Sequence, residues 1–247
     1  MLGLPSAIRA CLFDLDGVLT QTARLHAAAW KEMFDGYLSA RAHRSGDAFV
    51  AFDPVQDYGA YVDGKPRADG TRSFLASRGI HLPEGEPDDP PGAETINGLS
   101  NRKNDILRRR LRTVGVQVYA GSVRYLHAAR AAGLACGVVS ASANTLDVLR
   151  GAGLADEFDV RIDGVVAAQQ HLKGKPAPDT YLAAVRALKL EPSQAAVFED
   201  ALAGVEAGRA GGFGFVVGVD RVGHREALAQ HGADIVVDDL SEMIDRA

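Results

Sequence analysis

The pattern of apolar and polar positions changes rhythm twice along the chain. Cys11-Leu12-Phe13 is a short unbroken apolar run that stops on Asp14-Leu15-Asp16-Gly17. That is the pattern of a strand buried on both faces, handing its last residues to a loop. Over 20–38 the residues Leu25, Ala29, Met33 and Phe34 recur at helical spacing and predict a helix. Residues 39–113 show short helical patterns and no strong strand. They also contain a Pro-rich acidic stretch, 82–91, that reads as a mobile loop whose charge serves solvation. Past Val114 strands and helices alternate. Helices are expected over 121–132, 144–151, 178–190 and 201–210, and strands over 134–140, 158–162, 195–198, 214–219 and 234–237.

Successive strand–helix–strand units predict an α/β fold, a doubly wound, Rossmann-like parallel sheet whose strand ends face one crevice. The helical segment 20–113 is then an inserted cap, and residues 1–19 with 114–247 form the core. A chain of 247 residues, 47% of them hydrophobic, supports a core of that size. The net charge of -5 argues against a nucleic-acid surface, so Arg108-Arg109-Arg110 with Arg112 is assigned to an exposed helix face. Cys11 and Cys136 lack metal-site spacing and read as small buried hydrophobes of a reducing compartment. With no membrane-length apolar stretch and no signal segment, the expectation is a soluble cytoplasmic protein.

The candidate chemistry sits where the strands end. Asp14 and Asp16 can converge on one site, one carboxylate attacking phosphorus while the other handles a proton; a strand followed by an Asx or Gly turn explains them equally well. Ser140 and the helix start near Ser142 and Asn144 offer a hydroxyl and N–H groups to an anion, or simply an ordinary N-cap. Lys175, between Gly174 and Pro176, is either a fixed point charge for phosphate or a surface lysine. Glu199 and Asp200 are either dipole partners of the next helix or, with Asp14, a hard oxygen site suited to Mg²⁺. Thr22, His26 and Trp30, four apart, share a helix face that either looks toward Asp14 and Asp16 or packs the helix. As a set these groups fit phosphoryl transfer, which needs positioning and charge neutralisation. The glycines Gly204, Gly208, Gly211 and Gly212 follow an acidic strand end, which fits hydride-transfer chemistry poorly and suggests close helix packing.

Asp14-Leu15-Asp16-Gly17, Ser140, Lys175-Pro176 and Glu199-Asp200-Ala201-Leu202-Ala203-Gly204 resemble, in order and spacing, the four motifs of the haloacid dehalogenase-like superfamily. The position of the insertion is similar to its helical-cap subgroup, which includes β-phosphoglucomutases and small phosphatases. The segments 22–30, 101–104 and 140–144 resemble the mutases in particular, as does Asp63-Gly64-Lys65-Pro66-Arg67-Ala68-Asp69-Gly70. Two departures stand out: Ala143 where some relatives carry a lysine, and Asp63 before the glycine.

The resemblance implies Asp14 as nucleophile and Asp16 as general acid/base. Phosphate and substrate contacts would come from Thr22, His26, Trp30, Gly64, Arg67, Lys103, Ser140, Ala141, Ser142, Asn144 and Lys175, with Asp14, Asp16, Glu199 and Asp200 at Mg²⁺. Solvated surface remains the other reading of Arg67 and Lys103. The implied reaction interconverts β-D-glucose 1-phosphate and glucose 6-phosphate, with β-glucose 1,6-bisphosphate as activator and intermediate. The alternatives are a magnesium-dependent phosphatase of a small sugar phosphate or phosphoglycolate-like substrate, and a noncatalytic sugar-phosphate-binding module. The expected partner is a small sugar phosphate, with no nucleic acid and no membrane, on a monomer or weak dimer.

Overall fold

The computed structural model describes residues 2–244. The chain divides into two compact units: a helical one, Thr22–Gly115, and a second that runs to Gln21 and resumes at Val116. In the second unit, six strands among the described residues form one sheet: β1 (Ala10–Phe13), β2 (Ala135–Val139), β3 (Val160–Ile162), β4 (Ala195–Glu199), β5 (Phe215–Val219) and β6 (Ile235–Val237). Their order is β3-β2-β1-β4-β5-β6, and every pairing is parallel. The chain builds outward from β1 on one side, then returns to β1's other edge with β4. That reversal opens a crevice beyond the carboxyl ends of β1 and β4.

β1 can occupy the centre because all four of its residues are buried, as a strand covered on both faces requires. Phe13 stacks on Phe198 of β4 at 4.6 Å and meets Tyr125 edge-on at 6.4 Å. Leu12 packs on the other face with Val139, Tyr181 and Val197. Each large side chain buried this way contributes about 2–3 kcal/mol of transfer free energy. Phe13 pairs with both Val138 and Phe198, and the Asp14 N–H donates to the Phe198 carbonyl at 2.9 Å. The position of Asp14 is therefore set by the ladder itself.

The flanking helices of this unit are α4 (Ala120–Ala131), α5 (Thr145–Ala152), α6 (Gly164–Gln169), α7 (Asp179–Ala187), α8 (Leu202–Ala210) and α9 (Arg225–Gln230). Neither α6 nor α9 is expected from the sequence, being one and a half turns each. α6 starts because the Asp163 carboxylate caps the Val165 and Val166 N–H groups. The expected cysteine role holds: both are free and buried, and burial pushes the Cys11 thiol up and the Cys136 thiol to about 12.

The helical unit contains α1 (Ala23–Ser45), α2 (Arg67–Ser77) and α3 (Ile96–Val114), with a short π-helical turn, Tyr58–Val62. Its core gathers Trp30, Met33 and Phe34 of α1 with Phe52, Phe74, Leu99 and Ile106; the Phe34 ring lies 4.2 Å from Phe74 and 5.2 Å from Trp30. α1 begins three residues later than expected, because residues 16–20 are tied into a turn by the Gly17 N–H to the Thr20 carbonyl. It also runs seven residues further. Beyond Leu38 no side chain of α1 is buried, so the apolar period fades while the helix continues to a left-handed stop at Gly46, φ 78°. Arg109 and Arg110 lie on an outer face of α3, both paired with Glu32.

The 82–91 stretch is a loop, but its charge does more than solvate. Glu84 pairs with Arg72 at 2.6 Å, Asp89 accepts from the Thr95 hydroxyl at 2.6 Å, and the Pro83 and Glu84 carbonyls accept from the Ile96 and Asn97 N–H groups. These bonds satisfy donors at the start of α3 that a helix N-terminus leaves open. No helix among the described residues is long and apolar enough to cross a membrane.

Candidate active site

At the crevice the strand ends deliver a buried ionic network. Lys175, 3% exposed, donates from Nζ to Asp14 Oδ1 at 2.6 Å, to Glu199 Oε1 at 2.5 Å and to the Val139 carbonyl at 3.3 Å. It reaches them from the loop before α7, across a cis Lys175–Pro176 peptide. Its Nζ also lies 4.9 Å from the centre of the Tyr181 ring, while the Tyr181 hydroxyl donates to Glu199 Oε1 at 3.3 Å. The Lys175 ammonium thus meets a residue 161 positions away along the chain.

Electrostatics follow from that packing. Burial drives the Asp14 carboxyl well above the usual carboxylate range; Glu199 and Asp16 add to the shift and Lys175 opposes it. Burial by itself would lower the Lys175 ammonium, but Asp14 and Glu199 hold it well above the ordinary lysine value. One ammonium faces several carboxylates. With Asp14, Asp16 and Glu199 close to one ammonium in a buried place, an added cation would offset the burial that disfavours the Asp14 carboxylate.

Glu199 departs from its expected role as a metal ligand. Its carboxylate is fully buried: Oε1 is taken by Lys175 and Tyr181, and Oε2 accepts the Ala201 N–H at 2.8 Å. It stands behind Lys175 and positions it. Gly204 is part of the same arrangement, because a Cβ there would overlap the Glu199 carboxylate. Close helix packing accounts for Gly208, where a Cβ would lie 3.2 Å from Val216, but not for Gly204, and Gly212 is instead needed for its φ of 69°.

The turn after β1 is equally specific. Gly17 has φ 105°, and a Cβ there would overlap the Asp200 carboxylate, so Asp200 lies directly against the Asp14–Gly17 turn. Asp16 Oδ2 accepts from the Ser140 hydroxyl at 3.2 Å. Ser140 Oγ in turn accepts the Ser142 N–H, and Ser142 Oγ accepts the Asn144 N–H, so 140–144 is a chain of hydroxyl-capped turns before α5. Gly164, unremarked in the sequence, lets that loop close, since a Cβ there would sit 2.7 Å from the Ala141 carbonyl.

Asp14 and Asp200 offer hard oxygens, as Mg²⁺ prefers. Among the described residues no group of three or more His, Cys, Asp or Glu side chains forms a metal cage. The two carboxylates would suit a cation that takes few protein oxygens and keeps its other positions for water and phosphate.

Within the helical unit the expected residues fall into two groups. Lys103 of α3, 3% exposed, lies through Nζ 3.2 Å from His26 Nδ1, within hydrogen-bond distance. The same ammonium lies 4.8 Å from the Trp30 ring centre, a cation–π contact. Thr22 stands one turn before His26, whose N–H donates to its carbonyl. Gly64, φ 69°, turns the chain into α2, which Arg67 begins. Burial pulls the half-buried Arg67 guanidinium below its usual value, opposed by Asp105. α2 is held by the Thr71–Ser100 hydroxyl pair at 3.0 Å and by Gly70, where a Cβ would lie 3.3 Å from Trp30.

A family model described as haloacid dehalogenase-like hydrolase matches residues 8–212. The β-phosphoglucomutase of Mycobacterium bovis is 59% identical over 247 residues, spanning 99% of this chain and 94% of that protein. Validoxylamine A 7'-phosphate phosphatase of Streptomyces hygroscopicus subsp. limoneus is 30% identical over 95% of both chains. Among solved structures, the β-phosphoglucomutase of Clostridium difficile matches with a TM-score of 0.74 at 26% identity, covering 95% of this chain and 92% of that one.

Proposed function

We propose that this chain, which belongs to the haloacid dehalogenase-like hydrolase family, is a magnesium-dependent β-phosphoglucomutase that interconverts β-D-glucose 1-phosphate and glucose 6-phosphate. The phosphoryl chemistry rests on one observation, the buried Lys175 bonded at once to Asp14 and Glu199. The full-length likeness to a mutase chooses the acceptor, a sugar hydroxyl in place of water.

In this reading an Asp14 carboxylate oxygen attacks the phosphorus of a sugar phosphate, forming an aspartyl phosphate as the P–O bond to the sugar breaks. Asp16 donates the proton that the leaving sugar oxygen needs. It then takes the proton back from the hydroxyl that attacks the aspartyl phosphate next. Lys175, fixed by Glu199, and the Ser140 hydroxyl, which bonds to Asp16 in this structure, would hold the phosphoryl oxygens. Mg²⁺ would be held by Asp14, Asp200 and the Asp16 carbonyl, and when bound supplies a Lewis acid that neutralises phosphoryl charge. β-Glucose 1,6-bisphosphate is the proposed intermediate, so a second phosphate must be held. Arg67 and Lys103 of the helical unit are assigned to it, with Thr22, His26, Trp30 and Gly64 shaping the sugar site and the unit acting as a cap. A cytoplasmic setting goes with free thiols at Cys11 and Cys136.

The test is ³¹P NMR of the purified protein with β-glucose 1-phosphate, Mg²⁺ and a trace of bisphosphate. Glucose 6-phosphate is expected. Inorganic phosphate without glucose 6-phosphate would overturn the mutase reading in favour of a phosphatase, the activity in the name of the Streptomyces relative.

A further inference from the structure

The loop between β5 and α9 touches both turns that carry the candidate acids. Arg221 donates from Nε to the Gly17 carbonyl at 2.8 Å and from one terminal nitrogen to the Val18 carbonyl at 3.3 Å. Its other terminal nitrogen donates to the Asp238 carbonyl at 2.8 Å. The guanidinium also lies 3.6 Å from the centre of the Tyr119 ring and bonds the buried Ser122 hydroxyl. Three residues on, His224 lies 3.1 Å through Nε2 from the Asp200 carbonyl, and because a carbonyl only accepts, that nitrogen carries the proton.

The loop is itself braced. Asp220 Oδ1 accepts the Val222, Gly223 and His224 N–H groups, and its Oδ2 accepts that of Arg225. One segment therefore holds the backbone just after Asp16 with one side chain and the backbone of Asp200 with another. Those two turns are in contact, since the Asp200 carboxylate fills the space a Cβ would take at Gly17. Nothing in the packing of an ordinary surface loop requires a guanidinium to spend its donors on carbonyls beside a nucleophile. We propose that Arg221 and His224 are positioning residues that lock the Asp14–Gly17 turn and the Glu199–Asp200 turn at the spacing phosphoryl transfer needs. This rests on the aspartyl-phosphate reading above. Displacements of about 1 Å in such a spacing cost roughly a hundredfold in rate.

The experiment counts the beryllofluoride adduct of Asp14 by ¹⁹F NMR during a Mg²⁺ titration, a readout independent of turnover. Arg221→Lys keeps the charge but cannot serve three carbonyls with a planar fork. His224→Leu removes the donor, and His224→Gln restores an N–H near the Nε2 position. Arg221→Lys and His224→Leu are expected to need roughly tenfold more Mg²⁺ to form the adduct. In turnover they lose kcat with little change in the KM for sugar phosphate, and His224→Gln recovers most of the loss. Titrations of Arg221→Lys and His224→Leu that coincide with the unsubstituted protein overturn the proposal. The two His224 variants decide it if Arg221→Lys does not fold. An unsubstituted protein that forms no adduct overturns the aspartyl-phosphate reading and this inference with it, whereas failure confined to the positioning residues leaves that reading standing.

Discussion

Each unit buries a lysine to the same extent, and the two lysines are held in opposite ways. Lys175 sits among carboxylates brought together from the ends of separate strands, whereas Lys103 sits against an imidazole and the face of an indole, both on one helix. The first arrangement ties charge to the sheet: moving Lys175 strands Asp14 and Glu199 in a buried place. The second rests on spacing along α1, where His26 and Trp30 are one turn apart. Chemistry is thus written into the stability of the core unit and only lightly into that of the helical unit.

The contrast is sharpest at Asp14 itself. Asp14→Ala is expected to lose about 10⁴-fold or more in turnover, since no other group can take the phosphoryl. Its melting temperature should stay level or rise, because an unfavourable buried carboxylate is removed; steady-state kinetics and a thermal melt read both. Lys175→Met should lose about 10²–10³-fold in kcat. It should also destabilise the core by about 3–5 kcal/mol, as one partner of a buried ionic network is deleted, measured by urea unfolding.

In the helical unit, Arg67→Ala is expected to raise the KM for bisphosphate roughly tenfold to a hundredfold at nearly unchanged stability. Equal stability losses for Arg67→Ala and Lys175→Met would erase the distinction between the units. Gly204→Ala forces the Glu199 carboxylate aside and should cost about 1–3 kcal/mol, against a smaller loss for Gly208→Ala, whose nearest neighbour is a valine methyl at 3.2 Å. The smallest effect belongs to Glu32. Burial pushes its carboxyl up, but the Arg110 and Arg109 hydrogen bonds outweigh this and leave it below the usual value. Its stabilisation is therefore present above the ordinary carboxylate range and lost as pH falls through the lowered folded value. The pair is exposed, so Glu32→Gln should shift stability at neutral pH by less than about 1 kcal/mol and flatten the acid limb of the melting curve.

The sheet was legible because its strands are apolar on both faces and stop abruptly on polar residues, so 10–14 and 195–200 announce their own ends. Short helices were not: α6 and α9 are too brief for an apolar period, and α6 depends on a cap at Asp163. Asp14, Ser140, Lys175 and Asp200 could be picked out as types in a pattern. The part of Glu199 could not, because whether a buried carboxylate faces a cation or backs a lysine depends on which neighbour reaches it first in three dimensions. Gly204 and Gly164 were hidden for a related reason, since a missing Cβ has meaning only when the atom filling its place is known. Arg221 and His224 lie far along the chain from Gly17 and Asp200, and no local period connects them.

Borohydride trapping shows whether the Asp14 carboxylate carries phosphorus during turnover. The protein is mixed with β-glucose 1,6-bisphosphate and Mg²⁺, reduced, digested and analysed by peptide mass spectrometry. Reduction of an aspartyl phosphate leaves homoserine, and that change is expected at position 14 alone, dependent on bisphosphate. Homoserine at another position, or turnover to glucose 6-phosphate with position 14 never modified, would contradict it.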